Sequence, residues 1–327
     1  MAFTITETTF GALPALAIEG DDARVVLTLR GATVTSWTHR GVELIDGYAN
    51  QAEFTEQAGM RSALMIPFSN RIRGGRYRFD GTEYDLNEGD PTRAGETVMH
   101  GMLRQSDFSI SGIVAGESSA IVHLVSRALR PGAFAGYPFS VDVSIDITVT
   151  ADTIEFMVAG TNVGEAAAPF GSGWHPYFTI GAAPISQLVV SIPAETRIVP
   201  DAELIPLEGD AAFEPVSGDW DFRAPRALGD QVLDMAYGDL IVSPDGLAHT
   251  TMTDPASGRS IDAWQERGVM HVFTADTVPR PRGSFAMESV EFMTNSYRRP
   301  DRAADIRLEP GQRRSFRFGA TTALETR

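Results

Sequence analysis

The stretch Val141–Thr150, VDVSIDITVT, alternates apolar and polar residues without interruption. Such period-two alternation is typical of a β-strand with one face in a hydrophobic core and the other toward solvent. After a short turn at 151–152, the alternation resumes at Ile154, Phe156 and Val158. The two segments therefore predict an antiparallel hairpin.

The same pattern continues outward along the chain. The segment 76–84 predicts a second hairpin, because Asp80-Gly81 readily adopts the positive φ angles of a type I′ turn between two alternating runs. Further strand-like runs lie at 24–30, 120–126, 187–192 and 269–274. Long amphipathic helical patterns are scarce, and Gly and Pro are spread evenly rather than gathered in a linker. We therefore predict an all-β chain, a large antiparallel β-sandwich forming one domain over residues 1–327.

Composition excludes several classes of chemistry. The 327 residues include no cysteine and no lysine, so arginine supplies all 27 basic side chains. Schiff-base, pyridoxal-phosphate, P-loop and thiol chemistries therefore have no residue to carry them. A net charge of −16 argues against nucleic-acid binding. No apolar run approaches the length of a membrane span, and residues 1–10 lack a secretory signal pattern, so we expect no membrane partner and a cytoplasmic location.

Four segments concentrate polar groups beside aromatic residues or glycine. They are 67–75, with Asn70-Arg71-Ile72; 99–104, with His100-Gly101; 171–178, with His175-Pro176-Tyr177-Phe178; and 289–294, with Glu291-Phe292-Met293-Thr294. Each motif alone occurs by chance in many proteins. Several such motifs in one order along a chain make a chance match improbable.

The order N-R-I, H-G, H-P-Y-F and E-x-M-T resembles the aldose 1-epimerase (galactose mutarotase) family. The resemblance covers nearly the whole chain and includes the hairpin at 79–84 and the pair Thr161-Asn162. It implies a galactose mutarotase-like fold and an isomerase that interconverts the α and β anomers of a free hexose. Trp174 and Phe292 depart from the usual family residues beside the catalytic groups, which leaves the identity of the sugar open.

The resemblance also implies roles for individual residues. Glu291 would be the base at the C1 hydroxyl and His175 the acid at the ring oxygen, with no metal or other cofactor needed. The predicted partner is a small sugar, and the protein is expected to be a monomer or a homodimer. Residues expected to bind the sugar are Asn70, Arg71, His100, Trp174, Tyr177 and Asp234. Asn70 and Arg71 could instead brace the neighbouring hairpin.

Glu291 has a second glutamate, Glu288, three positions before it, and either could be an ordinary solvent-facing strand residue. An odd separation along an extended strand places Glu288 and Glu291 on opposite faces, so only one can point into a shared cleft. The family pattern, as it aligns with E-x-M-T, favours Glu291 and leaves Glu288 facing solvent. The remaining histidines are expected to be surface or structural residues: His39, His123, His249 and His271.

Alternative functions remain open at this point. The sequence His100-Gly101-Met102-Leu103-Arg104 has the H-G-x-x-R form of hexose-6-phosphate 1-epimerases, in which Arg104 would contact the phosphate. A catalytically silent sugar-binding β-sandwich is a second alternative, since one fold hosts many functions. A metal-dependent hydrolase is less favoured, because the chain has no H-x-H or H-E-x-x-H spacing.

Overall fold

The structure, a computed structural model, describes residues 2–324. Its strands from the N-terminus are β1 (Thr4–Phe10), β2 (Leu13–Glu19), β3 (Ala23–Thr28), β4 (Thr33–His39), β5 (Val42–Glu43), β6 (Ala63–Leu64), β7 (Arg71–Ile72), β8 (Arg76–Phe79), β9 (Thr82–Asp85), β10 (Val98–Met99), β11 (Ser109–Ala115), β12 (Ser119–Leu129), β13 (Val141–Thr150) and β14 (Thr153–Asn162). They continue as β15 (Ala168–Pro169), β16 (Gly173–His175), β17 (Tyr177–Phe178), β18 (Val189–Ser191), β19 (Ala194–Ile198), β20 (Phe213–Pro215), β21 (Arg226–Ala227), β22 (Asp234–Leu240), β23 (Ala248–Asp254), β24 (Arg259–Gln265), β25 (Val269–Phe273), β26 (Phe285–Val290), β27 (Arg307–Leu308) and β28 (Arg313–Leu324).

Helical structure is confined to short connections. One α-helical turn, α1 (Gln51–Thr55), begins at an Asn50 side chain that accepts a hydrogen bond from the Glu53 amide. Short 3₁₀ turns lie at Ala58–Met60, Arg73–Gly75, Pro91–Arg93, Leu103–Gln105, Ile185–Gln187, Gly209–Ala212, Gly218–Trp220, Ser296–Arg298 and Pro300–Arg302. The prediction of an all-β chain is confirmed. Across residues 2–324, no helix is long and apolar enough to cross a membrane.

Three large sheets organise the chain. A five-stranded sheet joins β1 to β5 in sequence order, and a nine-stranded sheet has the order β11-β12-β13-β14-β28-β24-β23-β18-β21. An eight-stranded sheet has the order β20-β19-β22-β25-β26-β16-β6, with β17 also paired to β26. The neighbours in these sheets pair antiparallel. The predicted sandwich of antiparallel sheets is therefore present.

Both predicted hairpins form as the sequence indicates. β13 and β14 pair along their whole length, with Val149 opposite Ile154 across the turn. β8 and β9 place Phe79 opposite Thr82, and the two turn residues between them, Asp80 and Gly81, have φ angles of 47° and 80°. Positive φ at both positions is the type I′ geometry expected of Asp-Gly.

The nine-stranded and eight-stranded sheets pack against each other through aromatic side chains. The Phe156 ring of β14 lies 4.7 Å from the Trp174 ring of β16, and Phe318 of β28 lies 6.3 Å from Trp174. All three side chains are buried within one continuous core cluster. Burial of a side chain of this size contributes about 2 to 3 kcal/mol relative to exposure, so this layer fixes the position of β16.

The opposite face of the eight-stranded sheet carries polar side chains. Because side chains alternate along a strand, Trp174 points into the core and His175 points to the other face. The same alternation separates Met270 and Val272 in the core from His271 between them. The sheet thus has one apolar face that holds it in the sandwich and one face on which polar groups can gather.

Candidate active site

Four titratable residues form a row across the polar face of the eight-stranded sheet. His271 of β25 lies directly opposite Glu288 of β26 in the ladder. On the far side of β26, β16 pairs with Trp174 opposite Ser289, which brings His175 next to Glu288. Asp234 of β22 lies on the other side of His271, with its carboxylate 2.8 Å from His271 Nε2. The order across the strands is therefore Asp234, His271, Glu288, His175.

His175 and Glu288 make the central contact of this row. The distance from His175 Nε2 to Glu288 Oε1 is 3.3 Å, and both side chains are almost completely buried. Burial raises the pKa of Glu288 to about 7, although the charge of His271 opposes this. Burial and the nearby His271 lower the pKa of His175 to about 3. Each group is thus driven toward its neutral form, and near neutral pH the pair holds about one proton or fewer.

The short β7–β10 ladder brings the segment with Asn70 and Arg71 next to the segment with His100. Arg71 pairs with Met99 in the β7–β10 ladder, and the His100 amide donates a hydrogen bond of 2.9 Å to the Asn70 carbonyl. Gly101 follows with a φ angle of 69°, and a Cβ there would lie 2.2 Å from the Ile66 carbonyl oxygen. Only glycine fits that approach. The His-Gly pair therefore has a structural reason, because the glycine allows the loop to present His100.

Arg71 and Asp234 lie beside each other in the lining of one cavity. The Arg71 guanidinium lies 3.9 Å from the Asp234 carboxylate and donates a hydrogen bond of 3.0 Å to the Asn70 side chain. Burial raises the pKa of Asp234, but its hydrogen bond to His271 and the charges of His271 and Arg71 outweigh this and lower the pKa overall. Asp234 is therefore an anion at neutral pH, with acceptor capacity directed into the cavity.

Two aromatic contacts fix the orientation of the His175 ring. The Tyr177 ring stacks on it at 4.9 Å with an interplanar angle of 16°, and the Tyr177 hydroxyl donates to the Gly59 carbonyl at 2.9 Å. The His100 ring approaches edge-on at 5.0 Å. Burial lowers the pKa of His100 well below its ordinary value, so this ring is neutral. A ring held on two sides has little freedom to turn away from Glu288.

These residues line one cavity of about 260 Å³. Its polar side chains are those of Gln57, Asn70, Arg71, His100, His175, Tyr177, Asp234, His271, Thr277 and Glu288. Its apolar walls include Met60, Met99, Phe273 and Val278. Within residues 2–324, the His, Asp and Glu side chains form no group of three or more arranged to hold a metal ion. The cavity offers many donors and acceptors to a small polar ligand.

Six of the eight predicted site residues are brought together here, namely Asn70, Arg71, His100, His175, Tyr177 and Asp234. Two are not, Trp174 and Glu291. The prediction that Trp174 contacts a ligand is wrong in its geometry, because the side chain is 1% exposed and packs among core phenylalanines. Its neighbour His175 takes the cavity face of the same strand, which leaves the core face to Trp174.

The predicted placement of Glu291 in a cleft shared with His175 is also wrong. Its Oε1 atom lies 2.7 Å from an Arg267 nitrogen and 3.2 Å from Arg314 Nε, and its Oε2 accepts from the Ser172 amide at 3.2 Å. The side chain borders a separate cavity of about 240 Å³, at the end of the sheet. Glu291 is thus held by two guanidinium groups and has no contact with His175.

Glu288 and His271 are the site residues that the sequence interpretation missed. Strand alternation correctly separated the two glutamates, but it could not decide which of them faces the cleft. The E-x-M-T match assigned the base to Glu291, which lies outside the cavity that holds His175. His271 gave no signal beyond its position in a strand. In contrast, His123 pairs with Asp146 and His249 with Asp262, away from the cavity.

Most of the chain matches a known protein family. The family model of aldose 1-epimerase matches residues 14–321. The chain belongs to the aldose 1-epimerase family. This family member is 27% identical to galactose mutarotase from Sus scrofa over 247 residues, which are 69% of the chain and 67% of the relative. It is 24% identical to the uncharacterized protein YihR of Escherichia coli K12 over 279 residues, 85% of the chain and 83% of the relative.

Solved structures establish the fold of this aldose 1-epimerase family member. Galactose 1-epimerase from Lactobacillus acidophilus superimposes with a TM-score of 0.82 at 13% identity, covering 99% of both chains. A galactose mutarotase-like protein from Clostridium acetobutylicum gives the same TM-score, identity and coverage. At such identities the likeness concerns the fold alone. The expected galactose mutarotase-like sandwich is confirmed.

Proposed function

We propose that the chain is an aldose 1-epimerase that interconverts the α and β anomers of a free hexose, with Glu288 and His175 as the proton-transfer pair. The observation that carries the proposal is the 3.3 Å contact between these two groups inside a polar cavity. The proposal replaces Glu291 by Glu288 as the base. Membership of the aldose 1-epimerase family, and relatives named galactose mutarotase, support the reaction type.

The reaction needs two coordinated proton transfers. Glu288 accepts the proton of the C1 hydroxyl while His175 donates a proton to the ring oxygen, so that the C1–O bond of the ring breaks and a C1 carbonyl forms. Rotation about the C1–C2 bond turns the other face of the carbonyl toward the ring hydroxyl. Closure then reverses both transfers. No electrons are gained or lost, so two acid–base groups complete the cycle.

The protonation state of the buried pair suits this exchange. The reactive form has a carboxylate at Glu288 and a proton on His175, and burial opposes both charges. Moving one proton from Glu288 to His175 creates the reactive form without changing the total charge. Attraction between the two opposite charges at 3.3 Å offsets part of the desolvation cost. The neutral forms still predominate, so the reactive form is a minor one that proton transfer within the pair makes available.

The surrounding residues position the sugar. Arg71 offers a rigid fork of donors on one side of the cavity, while Asp234 offers only acceptors. Asn70, His100 and Tyr177 complete the polar lining near His175. A polyol presents donors and acceptors at each hydroxyl, so it can satisfy both kinds of group at once. This positioning is important because a displacement of about 1 Å can cost roughly a hundredfold in rate.

The contacts of Arg104 favour a free sugar over a phosphorylated one. Its guanidinium donates to the carbonyl oxygens of Met99 at 2.9 Å and Gly101 at 2.8 Å, and it does not line the cavity. Arg104 therefore braces the loop that carries His100. A silent sugar-binding protein is less favoured, because titratable groups with strongly shifted pKa values in one cavity are typical of catalytic sites.

Polarimetry tests the proposal directly. Freshly dissolved α-glucose and α-galactose are followed with and without the protein, beside the corresponding 6-phosphates. We expect acceleration of at least one free hexose, and loss of roughly a hundredfold or more in rate in His175→Asn. A rate with every sugar equal to the uncatalysed rate would exclude the proposed activity. A strong preference for the 6-phosphates would instead establish the phosphorylated substrate class.

A further inference from the structure

His271 occupies a distinctive place in the row of titratable residues. It stands between two carboxylates, opposite Glu288 in the ladder and hydrogen-bonded through Nε2 to Asp234 at 2.8 Å. Directly opposed residues on antiparallel strands have Cβ atoms about 4.5 to 5.5 Å apart, so the imidazole and the Glu288 carboxylate are close neighbours. Only 7% of the residue is exposed, which leaves this interaction little screened by solvent.

The charged groups around His271 favour its protonated form. Burial lowers its pKa, but the carboxylates of Glu288 and Asp234 outweigh burial and raise the pKa overall, against the opposing charge of Arg71. The two other histidines that line the cavity, His100 and His175, are neutral at pH 7, because burial lowers both pKa values. Of the three histidines that line the cavity, His271 is thus the one whose surroundings favour the charged form.

We propose that His271 is a positioning residue that acts through Glu288: its imidazolium, anchored by Asp234, stabilises the Glu288 carboxylate so that this group accepts the sugar proton. The inference rests on the proposed mutarotation mechanism and extends it to a residue that makes no proton transfer itself. The charge of His271 opposes the effect of burial on the pKa of Glu288. The same charge also lowers the pKa of His175. Because Glu288 lies between the two rings in the row, we expect the effect on Glu288 to be the larger one, so that the charge shifts the proton of the pair toward His175.

Asp234 also fixes the orientation of the His271 imidazole. A carboxylate bound to Nε2 fixes which ring nitrogen carries that hydrogen bond and keeps the ring over β25. Asp234 then holds the cation in place on one side, and faces Arg71 at 3.9 Å on the other. The alternation of charge along the row Asp234, His271, Glu288 links the sugar-binding side of the cavity with the proton-transfer side.

Two variants separate the charge of His271 from its hydrogen bond. Gln can still donate to Asp234 but carries no charge, whereas Lys keeps a positive charge. An opposite charge at this range shifts a carboxyl pKa by about one unit or more, so we expect kcat/KM of His271→Gln at pH 6 to fall about tenfold. The alkaline limb of its pH–rate profile is expected to move to higher pH. His271→Lys is expected to keep the limb near its wild-type position.

Controls distinguish the possible failures. His249→Gln removes a histidine that is bound by Asp245 and Asp262 outside the cavity, and it is expected to keep the wild-type profile. An unshifted profile in His271→Gln, in an otherwise active protein, would overturn the role of His271 alone. An inactive wild type would overturn the proposed function itself.

A direct measurement on the unaltered protein does not depend on how the variants fold. Imidazole ¹⁵N NMR is expected to show His271 doubly protonated at pH 7 and His100 neutral. A neutral His271 ring at that pH would refute the inference, whatever the kinetics of the variants.

Discussion

Glu288 and Glu291 are the same residue type three positions apart, but their surroundings differ completely. Glu288 lies against His175 and has one carboxylate oxygen, Oε2, without a hydrogen-bond partner among the described residues. Glu291 has both oxygens engaged, by two arginines and a backbone amide. A carboxylate with unused acceptor capacity beside an acid can take a proton from a ligand. A carboxylate whose two oxygens are both engaged has little acceptor capacity left for a ligand.

The largest expected effect is on catalysis. Glu288→Gln removes the base with little change in volume, so mutarotation should fall by about 10² to 10⁴-fold. Glu291→Gln should keep a rate within a few-fold of wild type, measured by polarimetry at a temperature where both variants are folded. The reverse pattern, with Glu288→Gln active and Glu291→Gln inactive, would restore Glu291 as the base and remove the basis of the proposed mechanism.

A second expected effect concerns the pH dependence of the rate. The pKa of Glu288 is raised to about 7 and that of His175 is lowered to about 3, so the pair holds one proton between these values and none above. Because the cycle needs one proton on the pair, kcat/KM should decline as the pH rises above about 7. A rate that increases through pH 7 would indicate that the unprotonated pair is the active form. The profile of Glu291→Gln should match the wild type and serves as the control.

Much of this molecule was predictable from local pattern. The hairpin of β13 and β14 and the Asp-Gly turn at 80–81 follow from alternation and turn chemistry alone. Of the six predicted residues that the cavity brings together, five lie in the ordered motifs, and Asp234 came from a further match to the family. The choice between Glu288 and Glu291 required the sheet register, which pairs Glu288 with His271 over a long-range contact. Alternation along one strand separates the two side chains, but it does not show which of them faces the residues of a distant strand.

The two glutamates should also affect stability in opposite directions. Glu291→Gln leaves Arg314 and Arg267, whose side chains are 17% and 40% exposed, without their shared anion. Allowing for solvent screening, we expect a loss of about 2 kcal/mol in the free energy of unfolding. Denaturation in urea at pH 8 measures this loss. Unchanged stability would mean that the arginines find other partners.

Glu288→Gln should instead stabilise the protein at alkaline pH. The pKa of Glu288 is higher in the folded state, at about 7, than the ordinary value of 4.5. Its contribution to stability is therefore complete below pH 4.5 and is lost as the pH rises through 7. Between pH 4.5 and pH 8 the wild type should lose about 3 kcal/mol in the free energy of unfolding from this group. The Gln variant has no carboxyl group at this position and should not show that loss. The comparison uses urea curves of both proteins at the two pH values, and parallel pH dependence would contradict the burial argument.

The smallest effect on activity is expected at Trp174 of β16. On this strand Trp174 faces the core and His175 faces the cavity. Trp174→Phe reduces the volume of a side chain that packs on Phe156 and Phe318, and should cost about 1 to 2 kcal/mol in the free energy of unfolding. The KM for the sugar should stay within twofold of wild type, because the indole does not line the cavity. A large rise in KM at unchanged stability would place Trp174 against the ligand and reverse the orientation of β16. Since β16 also carries His175, that result would remove the proton donor from the cavity.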